Sequence, residues 1–108
     1  MITPISFYKC LADDTRLKTL LLIALKNELC VCELVAALEL SQPKVSRHLA
    51  QLRKCQLLID ERRGRWIYYQ LNPLLPAWAQ RVLHVTAASA PDYLADALNN
   101  LTRGGELC

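Results

Sequence analysis

Leu17, Leu20, Leu21 and Ala24 fall at i, i+3, i+4 and i+7, the spacing that places side chains on one face of a helix. Asp13 and Asp14 stand just before them and offer N-cap oxygens, so a helix is predicted through roughly Leu25. Upstream, residues 4–11 predict a short helix opened by Pro4, and downstream Lys26-Asn27-Glu28 reads as a turn. A third helix is predicted over about Glu33 to Leu38, and Glu39-Leu40-Ser41 leads from it into a fourth. Ser41 is a suitable N-cap, and Pro43 lies in the first helical turn, where its missing N–H costs nothing. Val45, Leu49 and Leu52, at i, i+4 and i+7, form the buried stripe of this fourth helix and leave Lys44, Arg47, His48 and Gln51 to point elsewhere.

The pattern then changes. Leu57-Leu58-Ile59-Asp60-Glu61-Arg62 and Arg65-Trp66-Ile67-Tyr68-Tyr69-Gln70-Leu71 flank an Arg63-Gly64 turn, which predicts a β-hairpin. Pro73 and Pro76 break the chain, a fifth helix is predicted from about Ala77 to Ala88, and Pro91 opens a sixth ending near Arg103. Gly104-Gly105 stops it. The predicted class is mainly α with a β-hairpin. Two short helices around a tight turn, followed by a hairpin, make a winged helix-turn-helix. Residues 1–103 are expected to form one domain and residues 104–108 a flexible tail.

With 53% hydrophobic residues and little glycine or proline, the chain can build a core. Its longest apolar run, Leu20 to Leu25, is too short to span a bilayer. The start Met1-Ile2-Thr3-Pro4 lacks the basic residues and apolar stretch of a signal peptide, so a cytoplasmic protein without a membrane partner is expected. A net charge of +3 says little, but its distribution says more. Lys44, Arg47, His48, Arg53 and Lys54 crowd one segment, and Arg62, Arg63 and Arg65 the next. Clustered cations suit a polyanion, although charge alone fits a solvated basic face equally well. On a helix-turn-helix followed by a wing, the clusters point to double-stranded DNA. Gln42 can read adenine and Arg47 can pair with guanine. Lys44, Ser46 and His48 can read base edges or hold phosphate, and Arg63 and Arg65 at the wing tip are expected to meet phosphates. No nucleophile, base and acid stand together and no glycine loop cradles phosphate, so no enzyme is expected.

Five cysteines, two of them one residue apart, make a poor disulfide framework. Thiolates are soft ligands, and an extended Cys30-Val31-Cys32 puts both sulfurs on one side. Cys32 is expected where the third helix begins, at the positive end that favours thiolate. Taken alone, the motif is weak and reads by default as two buried, inert cysteines. A zinc site wants about four N or S ligands. The histidines offer little toward one, since His48 lies in the fourth helix and His84 has no partner at helical spacing; His84 is expected in the core or an interface. Cys10 and Cys55 read as packed structural residues, Cys108 as an exposed tail thiol, and Trp66 and Trp78 as core or dimer contacts.

Three stretches together resemble the ArsR/SmtB family of metal-responsive repressors. Leu11-Ala12-Asp13-Asp14-Thr15-Arg16-Leu17 resembles its second-helix entry, Ser41-Gln42-Pro43-Lys44-Val45-Ser46-Arg47-His48-Leu49 its recognition helix, and Arg63-Gly64-Arg65-Trp66-Ile67-Tyr68-Tyr69 its wing. Glu28-Leu29-Cys30-Val31-Cys32-Glu33-Leu34 resembles the metal-box of the arsenic-sensing branch. The resemblance implies a homodimer built from the first and fifth helices that represses on operator DNA. It also implies release when Cys30 and Cys32 bind trivalent arsenic or antimony as inducer. That branch often has a third cysteine where this chain has Val35. Cys10, Cys108 or a ligand from solution remain for the third position. A redox-responsive or a cadmium- or lead-responsive repressor of the same fold is the alternative, and a thiol oxidoreductase lacks its usual βαβ setting.

Overall fold

The computed structural model describes residues 2–104. It is built in the order α1 (Pro4–Leu11), α2 (Asp14–Lys26), β1 (Leu29–Cys30), α3 (Val31–Leu38), α4 (Gln42–Lys54), β2 (Leu58–Arg63), β3 (Trp66–Leu71), α5 (Ala77–Ser89) and α6 (Pro91–Gly104). Cys108 and the rest of the expected tail from residue 105 onward lie outside the described residues, while Gly104 belongs to α6. No described helix is long and apolar enough to cross a membrane.

Local signals set the helix ends. Thr3 caps α1 through a reciprocal pair: Ser6 N–H donates to its side chain at 3.2 Å, and its own N–H donates to Ser6 Oγ at 3.1 Å. Asp13 caps α2 by accepting from Arg16 N–H at 3.0 Å. Leu20 through Ala24 are buried on every side, because α2 is the central element and touches α1, α3, α4, α5, α6 and β3. One contiguous cluster of buried side chains runs from Phe7 in α1 to Leu101 in α6. In α4 the stripe Val45, Leu49 and Leu52 is buried as its spacing predicts.

The start of α3 departs from the sequence reading. The helix begins at Val31, Cys30 rather than Cys32 is its N-cap, and the Cys30 N–H donates to Glu33 Oε1 at 2.9 Å. Glu33 thus sits at the third helical position, where a glutamate reaches back and stabilises the cap. Cys30-Val31-Cys32 is therefore a strand-to-helix junction and not an extended segment. Just before it, Leu29 and Cys30 pair antiparallel with Tyr69 and Tyr68, giving a three-stranded sheet in the order β1-β3-β2. The hairpin turn lies one residue later than predicted, at Gly64-Arg65, with Arg63 opposite Trp66. Gly64 holds φ +64°, a conformation that glycine adopts without a Cβ penalty.

Long-range contacts fix the remaining helices. The Tyr93 hydroxyl of α6 donates to Asp14 Oδ1 at 2.6 Å, and Asn100 donates to the Ala37 carbonyl at 3.3 Å, so α6 lies along α2 and α3. The phenol bond, with help from Lys18, holds the Asp14 carboxyl below its usual range. Burial, together with the same bond, pushes the Tyr93 phenol up to about 12. Phe7 of α1 meets Trp78 of α5 edge to face at 5.1 Å between ring centres. Ile5 and Tyr8 of α1 and Trp78 and Val85 of α5 stay exposed in the single chain.

Cys10 and Cys55 are not two separately packed residues. They are joined in a disulfide with 6.8 Å between Cα atoms. Their separation of 45 residues hid the pairing from the sequence, because it depends on where the end of α1 and the end of α4 meet.

Candidate functional site

The first turns of α4 present Gln42, Lys44, Ser46 and Arg47 to solvent on the side away from Val45, Leu49 and Leu52. His48 does not join them. It lies at i, with Gln51 and Cys55 at i+3 and i+7, on the flank that faces the corner between α1 and α2. There His48 Nδ1 is 3.9 Å from Asp13 Oδ2, Gln51 Oε1 accepts from Arg16 Nη1 at 3.3 Å, and Cys55 bonds Cys10. The His48 side chain is only 25% exposed. The structure thus places His48 against the α2 cap, apart from the four exposed α4 residues.

The wing arginines also separate. Arg63 Nη1 lies 2.8 Å from Glu28 Oε2, its Nε donates to Glu61 Oε1 at 3.0 Å, and its guanidinium stacks 4.7 Å over Tyr68. The pairing holds the Glu61 carboxyl below its usual range and pushes the Arg63 guanidinium up. Arg65 is exposed and stacks 5.2 Å over Trp66, and Arg62 donates to the Gly64 carbonyl. Arg62 and Arg65 are thus the wing cations without a carboxylate partner among the described residues. Glu61 is a partner that strand periodicity reveals, since residues i and i+2 share a face. Glu28 carries no such local signal.

The Cys30 and Cys32 sulfurs stand 2.9 Å apart. Cys30 is buried, which pushes its thiol up, while the Glu33 and Cys32 backbone N–H groups pull in the other direction. Cys32 opens onto a cleft of about 290 Å³ that also takes in Val31 and Val35 of α3, Gln42 of α4, and Arg65, Trp66 and Ile67 of the wing. Cys32 and two candidate DNA-binding residues, Gln42 and Arg65, therefore border one cavity, and Val35 lines the same wall as Cys32. Among the described residues no group of three or more His, Cys, Asp or Glu side chains gathers to hold a metal ion. His84 is exposed on α5, so it does not belong to the core.

Residues 13–60, from the α2 cap into β2, match the family described as "Bacterial regulatory protein, arsR family". The arsenic resistance transcriptional regulator ArsR2 of Pseudomonas putida is 55% identical over 96 residues, covering 89% of this chain and 84% of that one. The chain belongs to the arsR family of bacterial regulatory proteins. As an arsR-family member it is a transcriptional regulator and not an enzyme. The arsenical resistance operon repressor of Escherichia coli is 44% identical, over 94% of this chain and 87% of its own. Among solved structures, reduced HlyU from Vibrio cholerae superposes with a TM-score of 0.70 at 30% identity, covering 79% of this chain and 85% of its own. The AntR antimony-specific transcriptional repressor superposes at 0.67 and 28% identity, covering 85% and 86%. The winged helix-turn-helix read from the sequence is the architecture these proteins share.

Proposed function

We propose that this chain is a cytoplasmic homodimeric repressor that binds operator DNA and releases it when Cys30 and Cys32 take up trivalent arsenic or antimony. The observation that carries this reading is the position of the two cysteines. Cys30 ends the strand that pairs with wing strand β3, and Cys32 lies in the first turn of α3, where it borders the cleft shared with Gln42 and Arg65. Two sulfurs 2.9 Å apart suit one thiophilic ion, since metal–sulfur bonds of about 2.3 Å reach both. Close relatives are named for arsenic resistance and a structural neighbour for antimony, which supports these ions over harder ones.

Without inducer, α4 enters the major groove, where Arg47 pairs with guanine, Gln42 reads adenine, and Lys44 and Ser46 hold base edges or phosphate. Arg65 meets phosphate from the wing. The apolar side chains left exposed on α1 and α5 bury each other across a two-fold axis, which calls for half-sites about one helical turn apart. Drawing Cys30 and Cys32 onto one ion reshapes the β1–α3 junction. That shift acts on α4 through α3 and on the wing through β3, and a coupling of about 1–3 kcal/mol changes operator occupancy usefully. Val35 supplies no third sulfur and Cys10 is bonded to Cys55, so the third coordination position falls to Cys108 or to a ligand from solution.

The test is operator binding by fluorescence anisotropy, titrated with arsenite and antimonite and, for comparison, with cadmium, lead and zinc. Cys32→Ser and Cys30→Ser should keep operator binding and lose release, because a hard hydroxyl does not replace a thiolate on a soft ion. Release of either variant at the wild-type arsenite concentration would locate the sensing site elsewhere.

A further inference from the structure

The Cys10–Cys55 bond lies outside the sensing site and fastens the recognition helix to the rest of the molecule. The flank His48, Gln51 and Cys55 of α4 meets Asp13, Arg16 and Cys10 in the same order. Two of these three links are polar. Arg16 donates through Nε to the Cys10 carbonyl at 2.8 Å and through Nη1 to Gln51, so it already bridges the end of α1 to α4. The third link is covalent. It sits at the mouth of a shallow cleft of about 240 Å³ bordered by Lys9, Arg16, Gln51 and Lys54, and both cysteines are partly exposed. Small oxidants and small thiols can therefore reach the sulfurs, and the flanking cations favour the thiolate that reacts with them.

We propose that Cys10 and Cys55 form a reversible oxidation site, made by hydroperoxides and undone by small thiols, that clips the recognition helix to α1 independently of Cys30 and Cys32. In the forward direction one thiolate attacks the outer peroxide oxygen. The O–O bond breaks, an alcohol or water leaves, and a sulfenic acid forms. The second thiol then attacks that sulfur, the S–S bond forms, the S–O bond breaks and water leaves. In the reverse direction two small thiols deliver the electrons and leave as their own disulfide. A disulfide in a reducing compartment is of this transient, sensing kind. The clip leaves the exposed face of Gln42, Lys44, Ser46 and Arg47 untouched but restrains α4 against α1, so it opposes the displacement that releases DNA. This last effect rests on the inducer reading above.

The test uses the full chain with hydrogen peroxide as oxidant and glutathione as reductant. Peptide mapping after alkylation should find Cys10 and Cys55 joined after peroxide and both alkylated after millimolar glutathione. The oxidised protein should bind operator as tightly as the reduced one but need several-fold more arsenite for half release. Oxidation of Cys30 or Cys32 would also occur in Cys55→Ser and Cys10→Ser, so the difference between wild type and these variants isolates the clip. Comparing the wild type with and without a phosphine reductant keeps the test valid should either variant fold poorly. Cys10 and Cys55 still alkylated after peroxide, or a bond that glutathione does not open, would overturn the site. Coincident release curves would overturn the restraint. Failure of arsenite to release the reduced wild type would refute the sensing reading alone, since the peptide map decides the oxidation site by itself.

Discussion

Arg65→Ala and Arg63→Ala should weaken DNA binding by different routes, and salt separates them. Arg65 stands exposed over Trp66 with no carboxylate partner among the described residues, whereas Arg63 already faces Glu28 and Glu61. A cation that meets a phosphate releases counterions, and each such contact contributes about 0.9 to the slope of log affinity against log salt. A two-fold dimer loses two contacts when Arg65 is removed, so its slope should flatten by about 1.8. Over a rise from about 50 to about 200 mM salt, the deficit of the Arg65 variant relative to wild type should shrink about 12-fold. Arg63→Ala should leave the slope unchanged, because its charge is spent within the protein. Its loss should instead free Glu28 and loosen the wing from the segment that leads to Cys30. The assay is fluorescence anisotropy on operator and random duplexes across that salt range. An Arg63→Ala slope as flat as that of Arg65→Ala would show that the Glu28 and Glu61 pairs open on DNA, and the division of the wing cations would be wrong.

Arg47→Ala should cost about 1–3 kcal/mol of operator binding, about 5- to 150-fold, and relax base preference; unchanged affinity at fixed salt would remove Arg47 from the readout. Tyr93 reports on α6: its phenol is pushed up to about 12 from 10, so the stability it contributes is complete below pH 10 and lost as pH rises toward 12. Urea midpoints measured across that window should fall less steeply for Tyr93→Phe than for wild type, and parallel curves would refute the assignment to Tyr93. Reducing the Cys10–Cys55 bond frees a loop of 45 residues, which in the chain-entropy model is worth about 4 kcal/mol. Thermal melts should therefore drop by roughly 10 °C or more in reductant, with Cys55→Ser already low and indifferent to reductant.

The helices, their order, the buried stripe of α4 and the hairpin were legible in the sequence, because periodicity, caps and turn residues act over a few positions along the chain. The soft-ligand character of Cys30 and Cys32 was legible for the same reason, as a matter of residue type and spacing. Their geometry was not, since the sulfurs meet across a strand-to-helix junction fixed by Glu33 on one side and by pairing with Tyr68 on the other. The partners of Arg63, His48 and Cys10 were equally hidden. Glu28 lies 35 residues from Arg63, Asp13 caps α2 while His48 lies on α4, and Cys55 lies 45 residues from Cys10. Each cation or thiol looked uncommitted along the chain because its partner arrives only when α1, α2, α4 and the wing close around one core. That closure is set by the simultaneous packing of many side chains, and no local stretch of sequence encodes it.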